Sequence, residues 1–251
     1  MAVARHLARA PIIEAVLDIQ VAPRPGTTFP ELQKAYEALD FGYHQQSFVI
    51  SSTVGFLVQQ DAEVQKSGSA QKIGVRLHSA DEKYVALVRT HGLTVSRQAP
   101  YEDWNKLEAE AHRLWDIYVK RWAPEKVTRL AARYINNLRL PIGLGQSFSD
   151  FIVTLTELPT DLPQTVNAFL QTFDCGDTGA PTDNRARLSL AWNGAAEGGR
   201  CPLILDIDAY RGSQSLAPTD ASIWTILRTL RKLKNRCFFG LLTERAVKEY
   251  E

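Results

Sequence analysis

Two stretches of the chain say nearly the same thing: DIQVAPRPGTTFPEL over residues 18–32 and NLRLPIGLGQSFSDF over residues 137–151. Each ends an apolar-alternating run at a proline, passes a glycine, and starts a helix-like segment with a phenylalanine two residues before an acid. Those pairs are Phe29 with Glu31 and Phe148 with Asp150. A chain that repeats its strand, turn and helix in this way is constrained to build two related units.

The wider pattern repeats too. Residues 11–22 alternate as a strand, with Ile13, Ala15, Leu17 and Ile19 on one face and Glu14, Val16, Asp18 and Gln20 on the other. A short helix follows over 29–39, then strand-like runs at 46–59, 72–79, 83–90 and 93–98 with polar or glycine-containing turns between them. Pro100 opens a long helix in which Trp104, Leu107, Ala111, Leu114, Trp115, Tyr118 and Trp122 make one apolar stripe, and Pro124 ends it. The order then restarts with a strand over 127–140, the turn PIGLG, a short helix over 147–156, and runs at 164–173, 185–193 and 201–211. The first of these runs reads equally as strand or helix. Ala217 and Pro218 introduce the last long helix as Ala99 and Pro100 introduce the first, and Trp104 and Trp224 hold similar places near the two starts.

The expectation is an α+β protein: a pseudo-duplicated, curved antiparallel sheet backed by two long helices, 101–122 and 219–242. Its halves, 1–125 and 126–251, share one sheet and core. One half exposes an apolar sheet face that a single helix covers only in part, so a continuous sheet buries more apolar area than either half alone. The element order is similar to the repeat of the TATA-binding-protein fold, which carries its helices on one sheet face and leaves the other open. A helix-grip arrangement, with the sheet wrapped around one long helix, is the alternative.

Composition removes several function classes. The 251 residues are 45% hydrophobic and 23% charged, as in ordinary globular proteins. Lys plus Arg number 29 against 28 Asp plus Glu, so any electrostatic partner must meet a local patch rather than a globally basic coat. No run is apolar enough to span a bilayer, and Glu14 and Asp18 interrupt what would be the core of a signal peptide. Cys175, Cys201 and Cys237 are odd in number and far apart, which fits neither a disulfide framework nor a zinc knuckle. A cytoplasmic protein without membrane contact is expected.

Three motifs resemble those of a sporadically distributed bacterial family of about this length, described without an assigned activity. They are the N-terminal API-EA segment (Ala10, Pro11, Ile12, Glu14, Ala15), the central RYIN (Arg133 to Asn136) followed by Leu140 and Pro141, and the C-terminal LKNRCFFGLLT (Leu233 to Thr243). The resemblance implies a patchy distribution, and with it a setting in bacterial defence or toxin–antitoxin systems.

If helices cover one sheet face, strand alternation puts the candidate functional side chains on the other. These are Glu14 and Asp18; Arg76 and His78; Arg133, Asn137 and Arg139; Arg187 and Ser189; and Asp206, Asp208 and Tyr210. Mixed Arg and carboxylate ladders commonly pair across strands as a solvated face. The functional reading is a protein-binding face anchored by Arg76, Arg133, Asn137, Arg139, Arg187, Asp206, Asp208 and Tyr210, since Arg and Tyr are frequent interface anchors. A third reading is a divalent-metal enzyme using Glu14, Asp18, Asp206 and Asp208 as oxygen ligands.

The segment RTLRKLKNR packs Arg228, Arg231, Lys232, Lys234 and Arg236 into the last long helix. Arg228, Arg231 and Lys232 share a face at i, i+3, i+4, which makes either a solvated outer ridge or a contact for a nucleic-acid backbone. No P-loop, dinucleotide fingerprint, nucleophile elbow or histidine metal motif is present, so no cofactor is implied. The expected role is therefore non-catalytic: an adaptor with a protein partner, or self-association as a homo-oligomer.

Overall fold

The computed structural model describes residues 2–37, 42–57, 65–142, 147–154, 159, 161–163, 166–177, 183–194, 198–212 and 214–251. In it, nine strands form one curved antiparallel sheet. They are β1 (Ile12–Ala22), β2 (Tyr43–Leu57), β3 (Gln65–Ser79), β4 (Tyr84–Arg89), β5 (Gly92–Gln98), β6 (Lys126–Leu140), β7 (Phe169–Gly176), β8 (Asn184–Trp192) and β9 (Cys201–Arg211). Their order across the sheet is β2-β3-β4-β5-β1-β6-β9-β8-β7. The first strands of the two halves, β1 and β6, pair at the centre with Leu17 opposite Ala132. Moving outward from that pair, each side meets its last strand first.

Alternation settles which face is covered. Ala15, Leu17, Ile19 and Val21 of β1 join Leu130, Ala132, Tyr134 and Leu138 of β6 in the core, while Glu14, Asp18, Arg129 and Arg133 point the other way. Ile13, expected on the core face, is exposed instead. A register shift between Ile12/Asn136 and Glu14/Ile135 inserts one residue there, so Ile12 rather than Ile13 reaches the core. In the β4–β5 hairpin, Gly92 sits at φ +150, and a Cβ there would meet the Ile19 carbonyl oxygen at 2.3 Å. Only glycine lets this hairpin lie flat against β1.

Helix α1 (Phe29–Glu37) packs on β3, α2 (Trp104–Trp122) on β5 and β1, and α3 (Ser222–Leu241) on β6, β9 and β8. A short α4 (Glu244–Lys248), not anticipated, follows α3. The Asp103 side chain caps α2 by accepting from the Lys106 N–H at 2.9 Å, and Ala123 ends that helix in the left-handed region before Pro124. All seven residues of the anticipated α2 stripe are buried.

The repeated phenylalanine does the same job twice. Phe29 packs edge-on to Phe48 at 5.8 Å, and Phe148 packs edge-on to Phe169 at 5.3 Å, each reaching the next strand of its own half. The second short helix, however, is one 3-10 turn, Phe148–Asp150, not 147–156. Beyond it Phe151 and Ile152 turn into the core, and Ile152 bridges to Leu242. Residues 155–156 of that span, residues 38–39 of the first short helix, residues 58–59, 143–146 of the glycine turn and 164–165 lie outside the described residues. The described part of the ambiguous run, 166–173, holds the start of β7, which continues to Gly176.

The two long helices touch through side chains. Arg231 lies over the Trp104 ring, Arg228 pairs with Glu108, and His112 stacks on Trp224. The contacts descend one helix as they climb the other, so α2 and α3 run antiparallel on the same sheet face.

Candidate functional site

The helix-free face carries a charged ladder along the centre of the sheet. Arg89 of β4 bonds Asp18 of β1 at 2.5 Å, Thr94 of β5 donates to the same carboxylate, and Arg129 of β6 bonds Asp18 at 3.1 Å and Asp208 of β9 at 2.7 Å. Arg129 also lies over the Tyr210 ring. The two carboxylates that share Arg129 differ. Burial acts to raise Asp18, but Arg89, the Thr94 hydroxyl, Arg129 and Gln20 outweigh it and hold that carboxyl below its usual range. At Asp208 burial wins and pushes the carboxyl up, although Arg129 and Arg133 oppose it.

Further into the second half the charges come to the surface. Arg133 grips Asp206 with Nε and Nη2, at 2.9 Å and 2.6 Å. Asp174 of β7 receives Arg185 at 3.0 Å, Arg187 at 3.1 Å and the Tyr210 hydroxyl. In each pair the guanidinium is more exposed than its acid: 47% for Arg133 against 22% for Asp206, and 57% for Arg187 against 33% for Asp174. The acids form a floor and the arginines a rim.

Seven of the eight residues expected to bind a partner therefore lie on three adjacent strands: Arg133, Asn137 and Arg139 on β6, Asp206, Asp208 and Tyr210 on β9, and Arg187 on β8. Arg139 is exposed near one end of β6, and the Asn137 Oδ1 is buried with no hydrogen bond. Arg76 does not join them. Three strands separate β3 from β6, about 19 Å in all, and Arg76 donates instead to His78, which pairs with Glu82.

The carboxylates considered for a metal are not a bare cluster. Glu14 accepts from Gln98, Asp18 and Asp208 share Arg129, and Asp206 is held by Arg133. Among the described residues, no three acidic, histidine or cysteine side chains stand close enough to hold a metal ion.

The helix cations also separate. Arg228 pairs with Glu108 at 2.8 Å, Arg231 rests on Trp104, and Lys232 is exposed. Lys234, one of the five cations of RTLRKLKNR, is 7% exposed, with its Nζ 3.7 Å from the Tyr134 ring centre. It lines a cavity of about 500 Å³ between the N-terminal segment, the start of α2, β6 and α3. Sequence reasoning missed this site. The available signal was the stripe Leu227, Leu230, Lys234, Phe238 at i, i+3, i+7, i+11, where the lysine stands in line with buried apolar residues.

No family model and no curated protein matches the chain. No helix among the described residues is long and apolar enough to cross a membrane.

Proposed function

We propose that the protein is a non-catalytic binding subunit whose helix-free sheet face, in the second half, docks an acidic surface of a partner protein. The observation that carries this is the graded exposure of the charge pairs. Arg133, Arg185 and Arg187 rise above the acids that orient them, so the outward field is positive while each guanidinium is already positioned. Leu170, 74% exposed on β7, adds an apolar contact at the edge of that patch.

The accompanying fold reading is a duplicated, TATA-binding-protein-like sheet. It is supported by the strand order outward from β1 and β6, by the matched roles of Phe29 and Phe148, and by the reciprocal contacts of Trp104 and Trp224. Two long helices, each against its own half, speak against the helix-grip alternative. The family resemblance adds a setting in bacterial defence or toxin–antitoxin systems, in the cytoplasm. The divalent-metal reading is weaker because Arg129 bonds both Asp18 and Asp208. The nucleic-acid reading is weaker because Arg228 and Arg231 turn toward α2.

The test is affinity capture from the native host with wild type beside Arg133→Ala/Arg139→Ala/Arg187→Ala, after both are shown to melt alike. The expected result is a stoichiometric acidic protein recovered by wild type alone and released by salt. Equal recovery by the variant removes the sheet face from the interface, and recovery abolished by nuclease makes the partner a nucleic acid.

A further inference from the structure

Three stretches far apart in sequence, each part of a motif singled out above, meet around the 500 Å³ cavity: Ala10 to Ile12, Tyr134 with Asn136, and Lys234, Asn235, Phe238 and Phe239. The N-terminal segment is fastened over it. Ala2 N–H donates to the Phe239 and Leu242 carbonyls, and Arg9 N–H to the Tyr250 carbonyl. The volume falls in the range of small-molecule sites, which are mostly apolar with a few convergent polar groups. Here the walls are Leu7, Ile12, Trp104, Phe238 and the ring of Tyr134.

Two cations face this space without an acid. Lys234 makes no hydrogen bond or ion pair among the described residues; its ammonium has only the face of the Tyr134 ring. Arg231, one turn earlier, has only the Trp104 ring among the described residues, at 5.2 Å. The acids at the rim are taken. Glu102 pairs with Arg97 and Lys106, and Asp103 caps α2. Arg5, the other lining cation, is held by Glu244 and Glu251. A buried charge is ordinarily paired, because leaving it alone forfeits its hydration for nothing in return.

We propose that this cavity binds a small organic anion, its carboxylate or phosphate group held between Arg231 and Lys234 and its flat apolar body against the aromatic walls. The Tyr101 and Tyr134 hydroxyls lie 3.0 Å apart, so one donates to the other and the pair keeps one proton to offer a ligand oxygen. Burial and the neighbouring Arg231 push the Lys234 ammonium down to about 7, the behaviour of a cation short of a counter-charge. This site is separate from the sheet face, and either can fail without the other.

The experiment is thermal unfolding and calorimetric titration of the full chain with benzoate, inorganic phosphate and, as the uncharged analogue, benzamide, each to about 20 mM, enough to register a millimolar Kd. The expected result is that benzoate or phosphate binds and raises Tm while benzamide does not. Arg231→Gln and Lys234→Met each weaken binding by at least about tenfold, the loss of roughly one charge-assisted hydrogen bond. Lys234→Met also raises the ligand-free Tm, because it removes a buried, unpaired charge, so its lost binding cannot be ascribed to misfolding. The arm that binds tighter distinguishes a carboxylate from a phosphate ligand. Arg133→Ala/Arg139→Ala/Arg187→Ala binds as wild type does. No binding of either anion, equal binding of benzamide, or undiminished binding in both cavity variants overturns the proposal.

Discussion

The chain before and after Pro124 lays its strands down in a similar but not identical order, and treats its charges differently. In the first half the polar groups of the helix-free face are largely sunk and mutually satisfied, with Asp18 held by Arg89, Thr94 and Arg129, and α2 buries a purely apolar stripe. In the second half the arginines of that face stand above their acids, and α3 buries Lys234 among its leucines and phenylalanines. The sheet is also uneven, with four strands outside β1 and three outside β6. The lesson is that a shared architecture does not distribute function evenly. Around Asp18 the polar groups hold the sheet together, whereas after Pro124 the paired arginines stand above their acids and Arg231 and Lys234 face a cavity without an acid among the described residues.

The sharpest way to break this comparison is at Asp18. Asp18→Ala leaves the largely buried Arg89 without a carboxylate and Arg129 with Asp208 alone, and is expected to lower unfolding free energy by about 3 kcal/mol in denaturant titration. Because the Asp18 carboxyl is held low, its contribution is present above the unfolded carboxylate pKa and lost as pH falls through the folded value. Wild type should therefore weaken below about pH 4, and the variant less. An effect at Asp18 no larger than that of an outer pair erases the distinction.

Lys234→Met tests the second half, and its sign is opposite. With the folded pKa near 7 and the unfolded value near 10.5, the unfolded state binds more protons between them, so wild-type stability rises with pH across that window. Arg231, Cys237 and the Tyr101–Tyr134 pair lie beside it, and Arg5, His6, Glu102 and Asp103 are the other titratable groups that line the cavity. The variant should be more stable at pH 7 by at least about 1 kcal/mol, the worth of one pKa unit, and should lose that slope in pH-dependent melts.

The duplicated phenylalanines sharpen the comparison at smaller scale. Phe148 meets both Phe169 and Trp192, whereas Phe29 meets Phe48. Phe148→Leu should therefore cost about 1 kcal/mol more than Phe29→Leu. Equal losses make the two positions equivalent in energy as well as in place. The smallest effect belongs to Asp206→Asn, which loosens the half-exposed Arg133 pair and should cost under about 1 kcal/mol while weakening partner capture through a less ordered arginine.

Much of this was legible in the chain. Two-residue alternation assigned Asp18, Arg133, Asn137, Arg187, Asp206 and Asp208 to one face, and the apolar stripe identified the buried face of α2, which starts at Trp104 rather than at 101. What failed did so where distant chain intervened. Ile13 left the core because of a bulge against β6, and the second short helix stopped at one turn because Ile152 was drawn to Leu242.

The sequence by itself determined the α+β class, the two long helices, the order of most strands and, along β1, β6, β8 and β9, most of the side chains that face away from the core, because these follow from local periodicity and the turn residues between runs. Tertiary structure alone decided that β1 would meet β6, that Arg129 would join Asp18 to Asp208, and that Lys234 would be enclosed beneath the N-terminal segment. The physical reason is that burial and charge pairing depend on what other parts of the chain cover or neutralise a side chain, and those parts are remote in sequence: Asp18 and Asp208 lie 111 and 79 residues from Arg129, and the N-terminal segment lies at the other end of the chain from Lys234.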